Sequence, residues 1–259
     1  MLALIAGTGD LPAAILNARR DVYVCAMAGF APDVPVDRTF RIEQLGTFLA
    51  RLKGQGVSEV CFAGAVKRPV IDPAAIDAAT MPLVPMIQEA IARGDDGALR
   101  AVIAIFETAG FVVRAAHDLV PHLLPVAGVP SKRRPDAAMM AQAVLGEQAL
   151  VDLGQRDRGQ ACVIQADKLL ASEGPDGTDA MIAAVRTDGG ILFKGPKPDQ
   201  DRRADLPVIG PATVRAVIAA GLDGIVIEAG GVMVLDLDAV VAALDAADKV
   251  LWVRPRTQT

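Results

Sequence analysis

Residues 1–19 read MLALIAGTGDLPAAILNAR, and the order of residue types in this stretch decides the fold class. Leu2 to Ala6 is an apolar run with the length of a strand buried on both faces. Gly7-Thr8-Gly9 interrupts it. Pro12 suits the first turn of a helix, because the N–H it lacks would be unpaired there anyway, and Pro12 to Arg19 has the composition of that helix. Strand, glycine turn and helix in this order open a parallel βαβ unit.

The alternation continues outward. Strands are expected at Val22 to Ala26, Val57 to Ala63 and Phe111 to Ala115, with helices at Ile42 to Gln55, Leu83 to Arg93 and Asp95 to Ala109. This predicts a Rossmann-like domain over 1–125. Pro121 to Pro135 breaks into Pro, Gly and the basic cluster Lys132-Arg133-Arg134, the composition of a connector, with the linker proper at 126–135. Residues 136–259 form a mixed α/β domain. Its helices are expected at Ala137 to Leu153, Gly177 to Val185, Ala212 to Ala220 and Leu237 to Ala246. Its strands are expected at Gln160 to Ile164, Ile191 to Lys194, Gly224 to Ile227, Val232 to Leu235 and Lys249 to Val253. The fold class is therefore α/β, in two domains.

A chain of 259 residues agrees with two domains at about 150 residues each. Hydrophobic residues make up 52% and charged residues 22%, which excludes a mainly disordered chain. Aromatic residues are only 3%, so the core is expected to consist of Ala, Val, Leu and Ile, and base-stacking platforms are not expected. A net charge of -5 repels phosphate backbones on average, so nucleic acid is not an expected partner and an anionic ligand needs a local site. Cys25, Cys61 and Cys162 form no C-x-x-C pair, which argues against disulfides and thiolate zinc. No run reaches the ~20 apolar residues of a membrane span, and the first residues lack the pattern of a secretory signal. A cytoplasmic location is expected.

Much familiar chemistry is missing. His117 and His122 have no zinc-ligand spacing, Ser58, Ser131 and Ser172 lie in no G-x-S-x-G elbow, and no lysine follows a glycine loop in the P-loop manner. Aspartates, glycines and lysines beside prolines remain, a set suited to oxygen-ligated magnesium and phosphate. The Gly7-Thr8-Gly9 turn brings a helix N-terminus to the end of a strand, where amide groups hold phosphate oxygens. It is only G-x-G, and no acid stands near Ala26 to Gly29 to grip an adenosine ribose, which disfavours NAD and FAD. A tight turn without ligand is the plainer alternative.

Several strings occur in a particular order: GTGDLP (7–12), FAGAVKRP (62–69), GDDGALR (94–100), GTDAM (177–181), KGPKPDQDRRADLPVIG (194–210) and EAGG (228–231). In these strings, over nearly its whole length, the chain resembles the LpxI-type UDP-2,3-diacylglucosamine pyrophosphatases. It departs from that family's pattern at Asp176, Ala98 and Asp118. The resemblance implies hydrolysis of UDP-2,3-diacylglucosamine to UMP and 2,3-diacylglucosamine 1-phosphate in lipid A biosynthesis, with Mg2+ or another divalent cation such as Mn2+. It implies a lipid-linked nucleotide-sugar substrate and transient contact of a cytoplasmic enzyme with the inner-membrane surface. A homodimer is left open.

The resemblance directs attention to particular residues. Asp205, held on a short segment before Pro207, is the foremost candidate, as a magnesium ligand or as the group that aligns the water. A solvated loop acid is the alternative. Asp179 is a second catalytic candidate and Thr178 a phosphate-binding one, although either one capping the helix would explain it as well. Asp96 is a candidate metal ligand, and capping accounts for one of Asp95 and Asp96. Lys67 and Arg68 follow a strand's carboxyl end, where open α/β sheets place ligands. Lys194 and Lys197 flank the stiff Gly195-Pro196 turn, Lys194 for substrate binding and Lys197 for catalysis. Gly7, Gly9, Leu11, Gly64 and Gln200 complete the substrate-binding set that the resemblance implies. His117 reads as a core or supporting residue, and Glu228 as a buried acid in need of a partner. A non-catalytic nucleotide-sugar or acyl-lipid binding protein on the same scaffold is the competing reading.

Overall fold

The computed structural model describes residues 1–256 other than 67, 68, 93, 94, 157, 198 and 199, and leaves the side chains of 90–92, 95 and 96 undescribed. The chain forms two compact units: Met1–Pro121 with Asp201–Asp205, and His122–Gln200 with Leu206–Thr259. Five residues from late in the sequence thus return to the first unit.

The first unit contains β1 (Leu2–Ala6), α1 (Leu11–Ala18), β2 (Val22–Met27), β3 (Arg38–Phe40), α2 (Leu45–Gly54), β4 (Glu59–Ala63), α3 (Val84–Ala92), α4 (Asp95–Thr108), β5 (Val112–Arg114) and α5 (Ala116–Leu119). Its sheet is parallel throughout, in the order β3-β2-β1-β4-β5. β1 is buried along its whole length at the centre, with Leu4 between Val24 and Cys61. The strand order reverses at β1, which places the crevice between the carboxyl ends of β1 and β4, where such sheets take ligands. Ala3 and Ile5 face a core completed by Leu45, Phe48, Leu49 and Leu52 of α2 and Ile103, Ile105 and Phe106 of α4. This core is more aromatic than the composition suggests. Phe40, Phe48, Phe62, Phe106 and Phe111 all join it, with Phe62 and Phe106 edge to face at 5.2 Å.

The second unit contains α6 (Ala137–Gln155), β6 (Ala161–Gln165), β7 (Lys168–Ser172), α7 (Gly177–Ala184), β8 (Ile191–Lys194), β9 (Val208–Ile209), α8 (Pro211–Ala220), β10 (Gly224–Glu228), β11 (Met233–Val234), α9 (Leu237–Ala246) and β12 (Val250–Arg254). Its sheet has the order β12-β10-β8-β6-β7. β12, β10 and β8 are parallel, whereas β6 runs antiparallel to both neighbours. Strand periodicity sorts its apolar residues onto two faces. Cys162, Ile164, Ile191, Phe193, Val226 and Val250 face α6, and Ala161, Val163, Leu192, Ile225, Ile227 and Leu251 face α7, α8 and α9. Gly146 lets α6 approach closely, since a Cβ there would lie 2.6 Å from the Phe193 ring.

Three strands were not foreseen, among them β9, which is only two residues long. β3 is three residues of RTF at an exposed edge, and β7 is exposed almost throughout, so neither has the apolar run that announces a buried strand. Residues 126–135, expected to be a connector, are fastened along the open edge of β12. Gly128 and Val253 exchange backbone hydrogen bonds of 2.9 and 2.8 Å. The Leu251 N–H donates to Ser131 Oγ at 2.9 Å, and the Lys132 N–H donates to Asp245 at 2.7 Å. A strand edge so covered cannot recruit foreign strands. Among the described residues no helix is long and apolar enough to cross a membrane.

Candidate functional site

In the first unit the two loops at the sheet's crevice are bonded to each other. The Gly7 N–H donates to the Ala63 carbonyl at 2.8 Å, and Thr8 and Ala65 exchange backbone hydrogen bonds of 2.9 Å in both directions. The Thr8 hydroxyl adds a bond of 3.2 Å to the Ala65 carbonyl. Gly64 has φ +91°, and its missing Cβ leaves the space filled by the Gly7 backbone. Gly7 is equally constrained, since a Cβ there would lie 2.4 Å from the Ala65 oxygen. Gly9 differs: its φ is +95°, and among the described residues nothing lies within 4 Å of a Cβ placed on it. Gly7 and Gly64 thus build the crossing, while Gly9 leaves an open backbone ahead of α1. That helix begins at Leu11, one residue earlier than expected, with Asp10 at its cap making no side-chain bond. Leu11 is buried at its start.

The segment 201–205 carries Asp205, which is half-buried. Arg203 secures the segment. Its guanidinium holds Asp201 through two bonds of 3.0 and 2.8 Å and reaches Glu107 of α4 at 2.5 Å, while Ala204 packs against the first core. The Arg203 hydrogen bonds hold the Asp201 carboxyl below its ordinary range, against the opposing effect of burial, with Arg100 also favouring the anion. Reciprocally, Asp201 first and then Glu107 raise the affinity of Arg203 for its proton. His117, in the first turn of α5, is pushed toward the neutral form chiefly by burial, with Arg202 adding to that and Asp118 opposing it. Among the described residues its buried Nδ1 has no hydrogen-bond partner.

In the second unit three charged residues end three adjacent parallel strands: Lys194 on β8, Glu228 on β10 and Arg254 on β12. Ile227 is the register partner of Lys194, and Glu228 of Arg254. Lys194 is buried at 7% exposure. Its Nζ donates to Thr178 Oγ1 at 2.9 Å and to the Val208 carbonyl at 3.1 Å. Thr178 in turn donates to Glu173 Oε1 at 2.5 Å, and Glu173 Oε2 accepts the Gln160 N–H at 2.6 Å. Arg254 bonds Glu147 of α6 at 2.7 Å. The EAGG and KGPKP strings meet here, since a Cβ on Gly231 would lie 2.6 Å from the Pro196 ring and 3.1 Å from Glu228.

The sequence-based candidates therefore fall into separate groups. Gly7 and Gly64 come together in the first unit, which also carries Leu11, Gly9 and Asp205. Thr178 and Lys194 come together in the second, and the Gln200 side chain accepts the Lys197 N–H at 3.0 Å. Asp179 is exposed in the first turn of α7. Thr178 does not cap that helix; its hydroxyl lies between Glu173 and Lys194. Lys67 and Arg68 lie outside the described residues, as does the side chain of Asp96. Two residues escaped the sequence reading. Glu173 stands alone in a loop with no pattern to mark it. Arg203 lies inside a quoted string, where its basic charge could have been matched to the neighbouring Asp201.

These are two α/β units whose polar side chains gather at the carboxyl ends of parallel strands, the architecture of proteins that hold anionic ligands there. A family model described as the LpxI N-terminal domain matches residues 1–123, and one described as the LpxI C-terminal domain matches residues 126–252. The UDP-2,3-diacylglucosamine pyrophosphatase LpxI of Caulobacter vibrioides is 36% identical over 263 residues, covering 94% of each chain. The chain belongs to the LpxI family.

Proposed function

We propose that this protein hydrolyses the pyrophosphate of UDP-2,3-diacylglucosamine to UMP and 2,3-diacylglucosamine 1-phosphate, a step of lipid A biosynthesis. The observation that carries this reading is the likeness to a relative of that name, 36% identical and covering 94% of both chains. In this reading residues 1–125 are the Rossmann-like nucleotide-binding half, and residues 136–259, whose segment 201–205 belongs to the first unit, supply catalysis and lipid binding. The enzyme works in the cytoplasm against the inner membrane, as a monomer or a homodimer.

Hydrolysis forms a bond from water oxygen to one phosphorus and breaks that phosphorus's bond to the bridging oxygen, which leaves with the other phosphate. The water must lose a proton and the departing oxygen must be stabilised as charge gathers on it. Asp205 aligns the water and takes its proton, or serves as a cation ligand. Lys194 and Lys197 neutralise phosphate oxygens, and Asp179 supports the reacting centre. The open backbone at Gly9 and the amide groups at the start of α1 admit a phosphate. Lys67, Arg68 and Gln200 complete the substrate-binding set, which Thr178 joins through its hydrogen bond from Lys194.

A divalent ion, Mg2+ or Mn2+, would be held by Asp205 and Asp96. Among the described residues no group of three or more His, Cys, Asp or Glu side chains is gathered to cage an ion. Two carboxylates are the kind of donor set that magnesium takes, commonly together with substrate phosphates. When bound, such an ion neutralises pyrophosphate oxygens and polarises the reacting phosphorus.

The test is UMP release from UDP-2,3-diacylglucosamine with magnesium and with excess chelator, and with UDP-N-acetylglucosamine as the unacylated control. Metal-dependent release from the acylated substrate alone is expected. Tight binding without UMP would favour the binding-protein reading instead.

A further inference from the structure

The hydrogen bonds around Lys194 form a closed circuit whose direction is fixed by chemistry. An ammonium can only donate and a carboxylate can only accept, while a hydroxyl has a single proton to give. The Thr178 hydroxyl lies 2.9 Å from the Lys194 Nζ and 2.5 Å from Glu173 Oε1. It must therefore receive from Lys194 and give to Glu173. The other Glu173 oxygen accepts the Gln160 N–H at 2.6 Å, and the Gln160 carbonyl accepts the N–H of Gly195, next to Lys194, at 3.1 Å. Glu173 is held from its own backbone as well, its N–H donating to the Ala161 carbonyl at 2.9 Å. Side chain and backbone at the end of β8 are thus tied to one carboxylate.

We propose that Glu173 and Thr178 are positioning residues, which through this circuit fix the Lys194 ammonium at the carboxyl edge of the second sheet for an anionic phosphate ligand. The proposal rests on the pyrophosphatase reading above. Glu173 places a negative charge one hydroxyl away from an ammonium at 7% exposure, a situation in which an isolated charge is costly. Thr178 transmits that charge while its only proton is committed to Glu173, so it acts on the substrate through Lys194 and donates nothing to phosphate itself.

The test is a double-mutant cycle in the full chain, with kcat and KM for UMP release and a thermal midpoint recorded for every variant. Thr178→Val removes the acceptor for Lys194 and is expected to lower kcat/KM roughly tenfold, within the range of coupled contacts. Thr178→Ser keeps the hydroxyl and is expected to recover most of that loss. Glu173→Gln keeps the shape, removes the charge and is expected to fall between the two. Lys194→Met is expected to cost more than any of these, and adding Thr178→Val to it is expected to cost little further, because the threonine acts through the lysine. Losses that multiply in the double variant, or Thr178→Val activity within about twofold of the parent, would overturn the proposal. A second readout does not need turnover. Acetylation of Lys194 by acetic anhydride, followed by mass spectrometry, is expected to be slow in the parent and roughly tenfold faster in Thr178→Val. An unchanged rate would overturn the positioning role, whereas a parent that releases no UMP but shows this acceleration would overturn only the pyrophosphatase reading.

Discussion

Gly64 lacks a side chain where the backbone of Gly7 needs the space: a Cβ on Gly64 would lie 2.7 Å from the Gly7 carbonyl carbon. The crossing of the two loops at the mouth of the first sheet is therefore a packing device. Gly64→Ala forces backbone against backbone and is expected to cost about 2–4 kcal/mol, the scale of a strained site. Gly9→Ala meets no atom of the described residues and is strained through its φ of +95°, which is expected to cost about 1–2 kcal/mol. Urea unfolding of both variants checks the ranking, and an equal cost would contradict it.

That distinction marks how far the sequence could be read. The spacing of GTGDLP correctly suggests a strand, a turn and a helix, and β1 falls on Leu2–Ala6 as expected. Glycine letters alone do not separate Gly7, which serves a neighbouring loop, from Gly9, which no described residue crowds, because the difference lies in contacts with Ala65, distant in the chain. β7 was missed for a related reason. Its exposed Leu169 and Leu170 follow the turn at Ala166, which has φ 51° without being glycine. The Lys194 to Glu173 circuit joins side chains from a strand, a helix and a loop, and no short-range pattern encodes it.

Arg203 governs the segment that bears Asp205. Asp205→Ala is expected to abolish turnover while leaving substrate binding within about tenfold, since it removes a group used chiefly in the transition state. Arg203→Met releases the segment from Asp201 and Glu107 and is expected to lower kcat by roughly ten- to a hundredfold through misplacement of Asp205. Steady-state kinetics with a separate binding assay distinguishes the two, and substantial turnover by Asp205→Ala at saturating magnesium would remove that residue from the chemistry.

Acid stability has an identifiable contributor in Glu43. It is 3% exposed, it accepts two hydrogen bonds from Arg41 and one from the Asp72 N–H, and these lower its carboxyl to about 2, the Arg41 bond most of all. A depressed carboxyl stabilises the fold above the unfolded-state value and loses that contribution as the pH falls from about 4.5 toward about 2. Glu43→Gln should be less stable at neutral pH and show a shallower loss over that window. Unfolding midpoints across the acid range check this, and parallel curves for the two proteins would contradict it.

The three cysteines are buried. Burial is the first cause that pushes the thiols of Cys25, Cys61 and Cys162 up to about 12, so thiolate is scarce near neutral pH. Iodoacetamide is expected to leave all of them unmodified in the native protein and to modify them fully in guanidinium. Rapid native labelling of any one would show that its strand opens locally.

The most direct measurement is a product balance on purified protein with UDP-2,3-diacylglucosamine in water enriched in oxygen-18. Equimolar UMP and 2,3-diacylglucosamine 1-phosphate are expected, with the label in the sugar phosphate if water attacks the sugar-side phosphorus. Release of UDP with free 2,3-diacylglucosamine, or bound substrate left intact, would contradict hydrolysis of the pyrophosphate.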